Sequence, residues 1–576
     1  MYKGLVIVES PAKARTLRKL LGDDYRIEYT VGHIKDLPRK ALGIDIENNF
    51  KPQYDFLQGK EELIESLKKA SRGIKNIYLG TDPDREGEAI AWHLAEELNR
   101  KRKEIFRIYL HELTPEGVNE AIEKAGPVNE NLYRAQQTRR ILDRLVGYKV
   151  SPLLWSKVKS GISTGRIQSV AVKLVCDREV EIQTFKPLEY FNLRAAVRTP
   201  DGQELHLSLK EIEREKAILH DESEATEIMK ELEGESLNIV KIERKRIRKN
   251  TPPPFTTATL QEEASRLFHF SPKRTMSIAR QLYEGLPFGE EGPISLITYV
   301  RTDSSLVSGD AEHKVREYIK TQFPKKYLPS EAFRHDNRKS VFDSQEAIRP
   351  VSMYWTPERV EPLLEKPHFQ IYTLIWNRFV ASQMSPARYM RINIYAESKD
   401  RYLFSGCYKR QTFPGFLRAF NHESDEKKDK CKINHDIARA IADLKRGAPL
   451  EIVDLEAEKK LTAAPERFSE SELIRQIEKR GIGRSSTFSN IVTSIQDKEY
   501  IEKEGGLLKP TNLGNVVTKI LSRTFPELMN LKFTSMIEDQ LDNVEVGNVN
   551  CIDLLRNFYS QFERRLSEAP TQMRNV

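Results

Sequence analysis

Lys75-Asn-Ile-Tyr-Leu-Gly80-Thr-Asp82-Pro-Asp84-Arg85-Glu86-Gly87-Glu88-Ala-Ile-Ala-Trp-His93 is the stretch whose reading decides the fold. Ile77 to Leu79 form a short apolar strand, an acidic turn follows, and a helix opens near Gly87 with Ile90, Trp92, Leu94 and Leu98 mainly on one side. Asp82, Asp84 and Glu86 stand at alternate positions and crowd the carboxyl end of that strand. Like charges so close raise one another's pKa, so a positive partner is expected among them. A hard cation such as Mg²⁺, which accepts carboxylate oxygens and keeps waters for a phosphate, suits an oxygen-only set. A solvated acidic turn with Asp82 as a helix cap satisfies the same pattern, and this stretch alone does not choose between the two.

The start of the chain supplies a second strand end of the same kind. Gly4 to Val8 read as a buried strand, followed by Glu9, by Ser10 as N-cap with Pro11 in the first turn, and by a helix from Ala12 to Leu21 closed by Gly22. In open α/β sheets ligands bind beyond the carboxyl ends of the strands, where adjacent strands can bring Glu9 and the three later carboxylates to one site. Lys13, one turn into the helix, points back toward that place and could hold a phosphate; an exposed helical lysine is the plainer reading.

Composition bounds the rest. The chain has 576 residues, room for about three to five domains. Apolar content of 39%, charged content of 31% and a mean hydropathy of −0.57 describe a globular protein with a wet surface. No run of 18 apolar residues occurs and Met1 leads directly into a strand, so neither a membrane span nor a signal peptide is expected and a cytoplasmic location follows. Cys176, Cys407, Cys431 and Cys551 are far apart with no C-x-x-C pair, which points to reduced, packed thiols rather than a zinc site or disulfides. The net charge of +8, from 93 basic and 85 acidic residues, is compatible with nucleic acid and does not establish it.

Further along, Asn131 to Gly147 form a helix on which Arg139 and Asp143, four apart, share one face. Lys157 to Gly165 is a basic loop into a helix from Arg166 to about Glu181, whose N-terminus with Arg166, Gln168 and Ser169 suits a backbone phosphate. Tyr190 to Val197 and Glu204 to Leu209 flank Pro200-Asp201-Gly202 as a hairpin. A second β-rich stretch, Arg388 to Arg410, lies beyond a helical block, which suggests that residues 256–385 are inserted into a β-rich domain. The basic run Lys241 to Lys249 leads into Thr251-Pro-Pro-Pro254, a boundary signal. Within the inserted block, Ile297-Thr-Tyr299-Val-Arg301-Thr-Asp303-Ser places a phenol and a guanidinium two apart, on one face of an extended segment. A phenol is a poor nucleophile at neutral pH unless a cation stabilises its anion. With 21 tyrosines in the chain, residue chemistry alone does not single out Tyr299. Asn421 to Lys432 read as a charged, exposed loop, and Gly481-Ile-Gly-Arg484-Ser485-Ser486-Thr487 opens a helix with another phosphate-suited N-terminus.

Val6-Ile-Val-Glu-Ser-Pro-Ala-Lys-Ala and Thr81-Asp-Pro-Asp-Arg-Glu-Gly-Glu-Ala-Ile-Ala-Trp-His93 resemble the Toprim domain of type IA DNA topoisomerases, the bacterial topoisomerase I group in particular. Val31-Gly-His33-Ile-Lys-Asp36-Leu-Pro38, Gly43-Ile-Asp-Ile, the block Ala135 to Tyr148, Gly161 to Val170, the Tyr299 segment, Gly481 to Thr487 and Phe533 to Asp542 are similar to the same family, so the resemblance spans residues 1–565. It implies a mixed α/β multidomain protein, a Toprim α/β domain with helical and β-rich arch domains in a toroidal core. The expected division is 1–125 for the Toprim domain, with part of 30–60 in the DNA groove; 126–185 and 455–576 for a helical DNA-groove domain; 186–255 and 386–454 for a β-rich hinge; and 256–385 for the helical domain carrying the tyrosine.

The resemblance further implies that Tyr299 attacks a single-strand phosphodiester of negatively supercoiled DNA to leave a 5′-phosphotyrosine, that strand passage and religation follow, and that no ATP is used. Arg301 and Lys13 would stabilise the transition state, Glu9 would act as acid and base at the leaving 3′-oxygen, and Glu9, Asp82, Asp84 and Glu86 would hold Mg²⁺. His33, Arg139, Asp143, Arg166, Gln168, Ser169, Gln345, Arg349, Arg484, Ser486 and Thr487 would contact DNA. The expected form is a monomer, cytoplasmic and nucleoid-associated. Two positions depart from the family pattern: Ser485 replaces a proline, and Gln345, in Asp343-Ser-Gln-Glu-Ala-Ile-Arg349-Pro, replaces a histidine. A neutral amide donates a hydrogen bond but carries no charge, so cleavage less sensitive to pH between 6 and 7 than in histidine-bearing relatives is expected. The 576 residues contain no tetracysteine zinc-ribbon pattern of the kind many bacterial relatives carry. A Toprim-type nuclease or primase, which would act without Tyr299, and a DNA-binding protein with a weakened centre are the alternative readings.

Overall fold

The computed structural model describes residues 2–99, 103–335, 346–420, 432–433, 441 and 444–573. Gln345 and the charged stretch 421–431 therefore lie outside the described residues. No described helix is long and apolar enough to cross a membrane.

Near the amino terminus four parallel strands pair in the order Tyr25–Tyr29, Gly4–Val8, Asn76–Leu79, Glu104–Arg107. Gly4–Val8 is buried along its whole length, as a central parallel strand covered on both faces must be. The helix Pro11–Leu21 connects the first two strands, its entry capped by Ser10 and its exit by Gly22. The chain then crosses to the other side of the first strand, so Gly4–Val8 and Asn76–Leu79 flank the point where strand order reverses. That reversal opens a crevice at the carboxyl ends. One face of this sheet packs on the helices Lys60–Ala70 and Arg85–Leu98 through Leu5, Ile7, Ile64, Leu67, Ile77, Leu79, Ile90 and Leu94. Through Val6, Val8, Ala14 and Leu17 the other face shares a single core with Phe255, Tyr283, Tyr299 and Phe379. The tyrosine segment is thus seated against the sheet rather than tethered to it by a linker.

The β-rich region is one eight-stranded sheet. Glu189–Arg198 and Glu204–Ile212 form the expected hairpin, Ser236–Lys249 pairs along Ala387–Ser398, and the latter turns back into Tyr402–Phe413. The chain leaves the sheet after Lys249 and returns at Ala387. It returns a last time as Pro449–Leu461, antiparallel to Glu189–Arg198 over its length. That strand runs past the expected boundary at 454, because its partner strand starts at Glu189 and the ladder continues until the partner ends.

A third core gathers the helices Glu130–Trp155, Arg166–Thr184, Glu470–Lys479, Phe488–Asp497, Asn512–Thr524, Leu531–Glu545 and Cys551–Gln572. The first of these continues well past Gly147, since Val150 and Leu154 carry its apolar stripe on into the core. Cys176 and Cys551 are free, whereas Cys407 is disulfide-bonded, which corrects the expectation of four reduced thiols.

Candidate active site

Two segments 215 residues apart in sequence meet at one carboxylate: the Tyr299 hydroxyl donates to Asp84 Oδ2 at 2.7 Å and Arg301 donates to the same oxygen at 3.2 Å. Asp84 can take this part because its other oxygen caps the helix Arg85–Leu98, accepting from the Gly87 N–H at 2.8 Å. The helix opens two residues earlier than expected, and Asp84, not Asp82, is its cap. Both aspartates are buried, which rules out a solvated acidic turn.

Lys13 is not an exposed helical lysine either. Its ammonium is fully buried, paired with Asp82 and 5.4 Å from the centre of the Tyr283 ring. Burial tends to raise the Asp82 carboxyl, but Lys13, Arg280 and Arg301 together bring it well below the usual carboxylate range. Glu9 accepts from the Asp82 N–H at 3.2 Å. Burial, then the charges of Asp82 and Asp84, push Glu9 up to about 8. Burial is also the main reason the Tyr299 phenol is raised well above 10, with Asp82 and Asp84 adding to it and Arg301 opposing them. The tyrosine ring lies edge-on to Tyr283 at 5.3 Å, and its N–H donates to the His111 carbonyl at 2.8 Å.

The turn is held from beneath by a residue that sequence reading passed over. The guanidinium of Arg107, wholly buried at the end of the fourth parallel strand, donates to the carbonyls of Leu79 (3.0 Å), Thr81 (2.9 Å), Asp82 (2.7 Å) and Ile108 (2.6 Å) and to Glu88 (2.9 Å). Gly87 completes the turn, because a Cβ there would stand 2.0 Å from the Asp82 carbonyl oxygen. An arginine inside the apolar run Ile105 to Leu110 was the one local signal for Arg107; nothing local marked Tyr283.

Among the described residues no three His, Cys, Asp or Glu side chains are gathered so as to hold a metal ion. The expected carboxylates are engaged separately, with Asp82 on Lys13, Asp84 on Tyr299 and Arg301, and Glu86 on His33 (3.2 Å) and Gln136 (3.1 Å). The donor chemistry nonetheless fits a hard cation. It is all oxygen, and the Glu9 carboxyl, raised first by burial and then by the charges of Asp82 and Asp84, stands where a cation would offset that negative charge.

The four arginines expected to contact DNA are all engaged in ion pairs within the protein. Arg166 is fully buried between Glu538 (2.7 Å) and Asp143 (3.4 Å). Arg139 lies 3.8 Å from Glu538 and 4.0 Å from Asp143, and donates to Thr487 at 3.4 Å. Arg484 pairs with Asp542, as does Arg85, which also pairs with Glu545. Arg349 is buried on Glu346 and on Glu112, the latter at 3.1 Å. For Arg166, whose side chain is fully buried, a direct phosphate contact requires the pair to open. Gln168 accepts from Lys498 at 2.5 Å, Ser169 bonds Thr164 at 2.5 Å, and Ser486 is half-buried. The neighbouring Ser485 donates both its N–H (3.4 Å) and its hydroxyl (3.2 Å) to Asp303 of the tyrosine segment, two bonds a proline there could not make.

A family model described as DNA topoisomerase matches residues 127–556, and one described as Toprim domain, a metal-binding domain, matches residues 4–113. The structure of full-length topoisomerase I from Thermotoga maritima is similar over 98% of this chain and 90% of that one, with a TM-score of 0.85 and 35% sequence identity. With the matched models covering most of its length, the chain belongs to the bacterial type IA DNA topoisomerases, isomerases that relax DNA.

Proposed function

We propose that Tyr299 is the nucleophile of this topoisomerase and that Asp84, Arg301, Lys13 and Glu9 serve it. The observation that carries this reading is the shared Asp84 oxygen, on which the phenol and the Arg301 guanidinium converge. The phenol oxygen bonds to the phosphorus of a single DNA strand and its proton leaves toward Asp84, while the bond from phosphorus to the 3′-oxygen breaks. Glu9, with its pKa pushed up to about 8, still holds a proton at neutral pH and gives it to the departing 3′-oxygen. Arg301 stands where negative charge grows on the phosphoryl oxygens; Lys13 balances Asp82 and comes to that charge once the pair loosens. Religation runs the same transfers backward.

Glu9, Asp82, Asp84 and Glu86 would hold Mg²⁺, which when bound supplies charge neutralisation at the phosphate during religation. The reading extends to a monomer acting without ATP on the single-stranded part of negatively supercoiled DNA in the nucleoid. It also takes 1–125 as the catalytic domain and 256–385 as the domain that lifts the tyrosine away. Plasmid relaxation with Mg²⁺ and no ATP, native chain against Tyr299→Phe, tests it together with denaturant trapping of the covalent adduct. The native chain is expected to relax DNA and form the adduct, and the variant to do neither. Relaxation by the variant would remove Tyr299 from the mechanism.

A further inference from the structure

Arg280 lies on the last turns of the helix Pro272–Glu284, and no part of the reading above uses it. Arg280, Tyr283 and Glu284 stand at i, i+3 and i+4 and so share one helix face. Tyr283 fixes where that face looks: its ring meets Tyr299 at 5.3 Å and lies 5.4 Å from the Lys13 ammonium, and its hydroxyl donates to the Leu110 carbonyl at 2.5 Å. The backbone is pinned there as well, since Thr16 Oγ1 donates to the Glu284 carbonyl at 2.5 Å. Arg280 therefore projects at the rim of the centre that holds Tyr299, Lys13 and Asp82.

Its guanidinium is already oriented. Nε donates to the largely buried Glu284 carboxylate at 2.8 Å, whereas the two terminal nitrogens make no hydrogen bond to any described residue. The side chain is 44% exposed. An arginine tethered through Nε presents its remaining N–H groups as a fork that matches two oxygens of one phosphate. The surroundings agree: Arg280 is one of the cations that lower the Asp82 carboxyl, and it repels Arg301. Like charges held close together favour an anion between them.

Building on the assignment of Tyr299, we propose that Arg280 binds a backbone phosphate of the single DNA strand next to the phosphodiester that Tyr299 attacks, with Glu284 as its positioning residue. The ligand class is a DNA phosphodiester, recognised without regard to base.

The test is equilibrium binding of a single-stranded oligonucleotide in chelator, measured from low to moderate salt, for the native chain, Arg280→Ala, Arg280→Lys, Glu284→Gln and the Arg280→Ala/Glu284→Gln double variant. Arg280→Ala is expected to weaken binding about tenfold at low salt and to reduce the slope of log K against log salt by about 0.7, the loss of one phosphate contact on a single strand. Arg280→Lys keeps the slope and recovers part of the affinity. The double variant stays as weak as Arg280→Ala. Native affinity and slope in Arg280→Ala would overturn the proposal; so would recovery of native affinity in the double variant, which would trace the loss to an unpaired Glu284. Tyr299→Phe should bind with the native slope, so a failure of the tyrosine assignment shows in adduct formation and leaves this binding result separate.

Discussion

Replacing Arg107 with methionine removes a cation of similar bulk from the interior of the parallel-sheet domain. Arg107 and Glu88 are both fully buried and 2.9 Å apart, and the same guanidinium donates to four main-chain carbonyls. Breaking a buried pair from one side leaves an uncompensated charge and costs about 3–5 kcal/mol. Glu88 keeps the Asn129 N–H at 2.7 Å and the Tyr109 hydroxyl at 3.3 Å, which favours the lower half of that range. The carbonyls of Thr81 and Asp82 lose a donor at the same time, so the acidic turn loosens where Glu9 and Lys13 meet it. For a domain of this size about 1 kcal/mol corresponds to several degrees, so the melting temperature should fall by about 10 °C or more. Hydrogen exchange should locate the loss in residues 76–98, and adduct formation should fall with it. Adding Glu88→Gln removes the stranded charge and should recover part of the loss, a coupling of about 1–3 kcal/mol. A melting temperature within about 2 °C of native, with normal adduct formation, would refute the role given to Arg107.

Gly87→Ala places a methyl group 2.0 Å from the Asp82 carbonyl oxygen, so the turn must move by about 1 Å; adduct formation should fall on the order of 100-fold while the chain still folds, read by a cleavage assay alongside circular dichroism. Ser485→Pro removes both donors to Asp303, two bonds of about 1 kcal/mol each, and should raise the equilibrium fraction of covalent adduct on an oligonucleotide by weakening the seam beside the tyrosine segment; an unchanged fraction counts against that seam. Glu9 is a carboxyl raised on folding from 4.5 to about 8, so between those values the folded chain holds a proton the unfolded chain has lost, and stability contributed by the neutral form fades as pH rises toward 8. Glu9→Gln should therefore melt at the native temperature at pH 4.5 and above it at pH 8.5 in chelator, which thermal scans at the two pH values check.

Much of the fold was legible locally. An unbroken apolar run such as Gly4–Val8, an N-cap serine before proline, and a turn of alternating carboxylates each encode their structure within a few residues, because capping, strand burial and turn chemistry act over that range. The switch between strands that brings Glu9 toward Asp82 follows from the order of such elements. The extent of Pro449–Leu461 and the course of the helix past Gly147 did not show, since each is set by packing partners distant in sequence, and the bonded state of Cys407 did not show either.

The site divides in the same way. Local pattern determined the strand, the acidic turn and the helix after it, and family likeness added the mixed α/β class and Tyr299. Only the tertiary structure decided that Asp84 rather than Asp82 caps the helix and receives the phenol, that Lys13 is buried on Asp82, that Arg166 and Arg349 are held in ion pairs, and that Arg107 and Arg280 bear on the centre at all. Those are statements about which charges lose water together. Burial of that kind is created when segments hundreds of residues apart pack, and no periodicity along the chain records it.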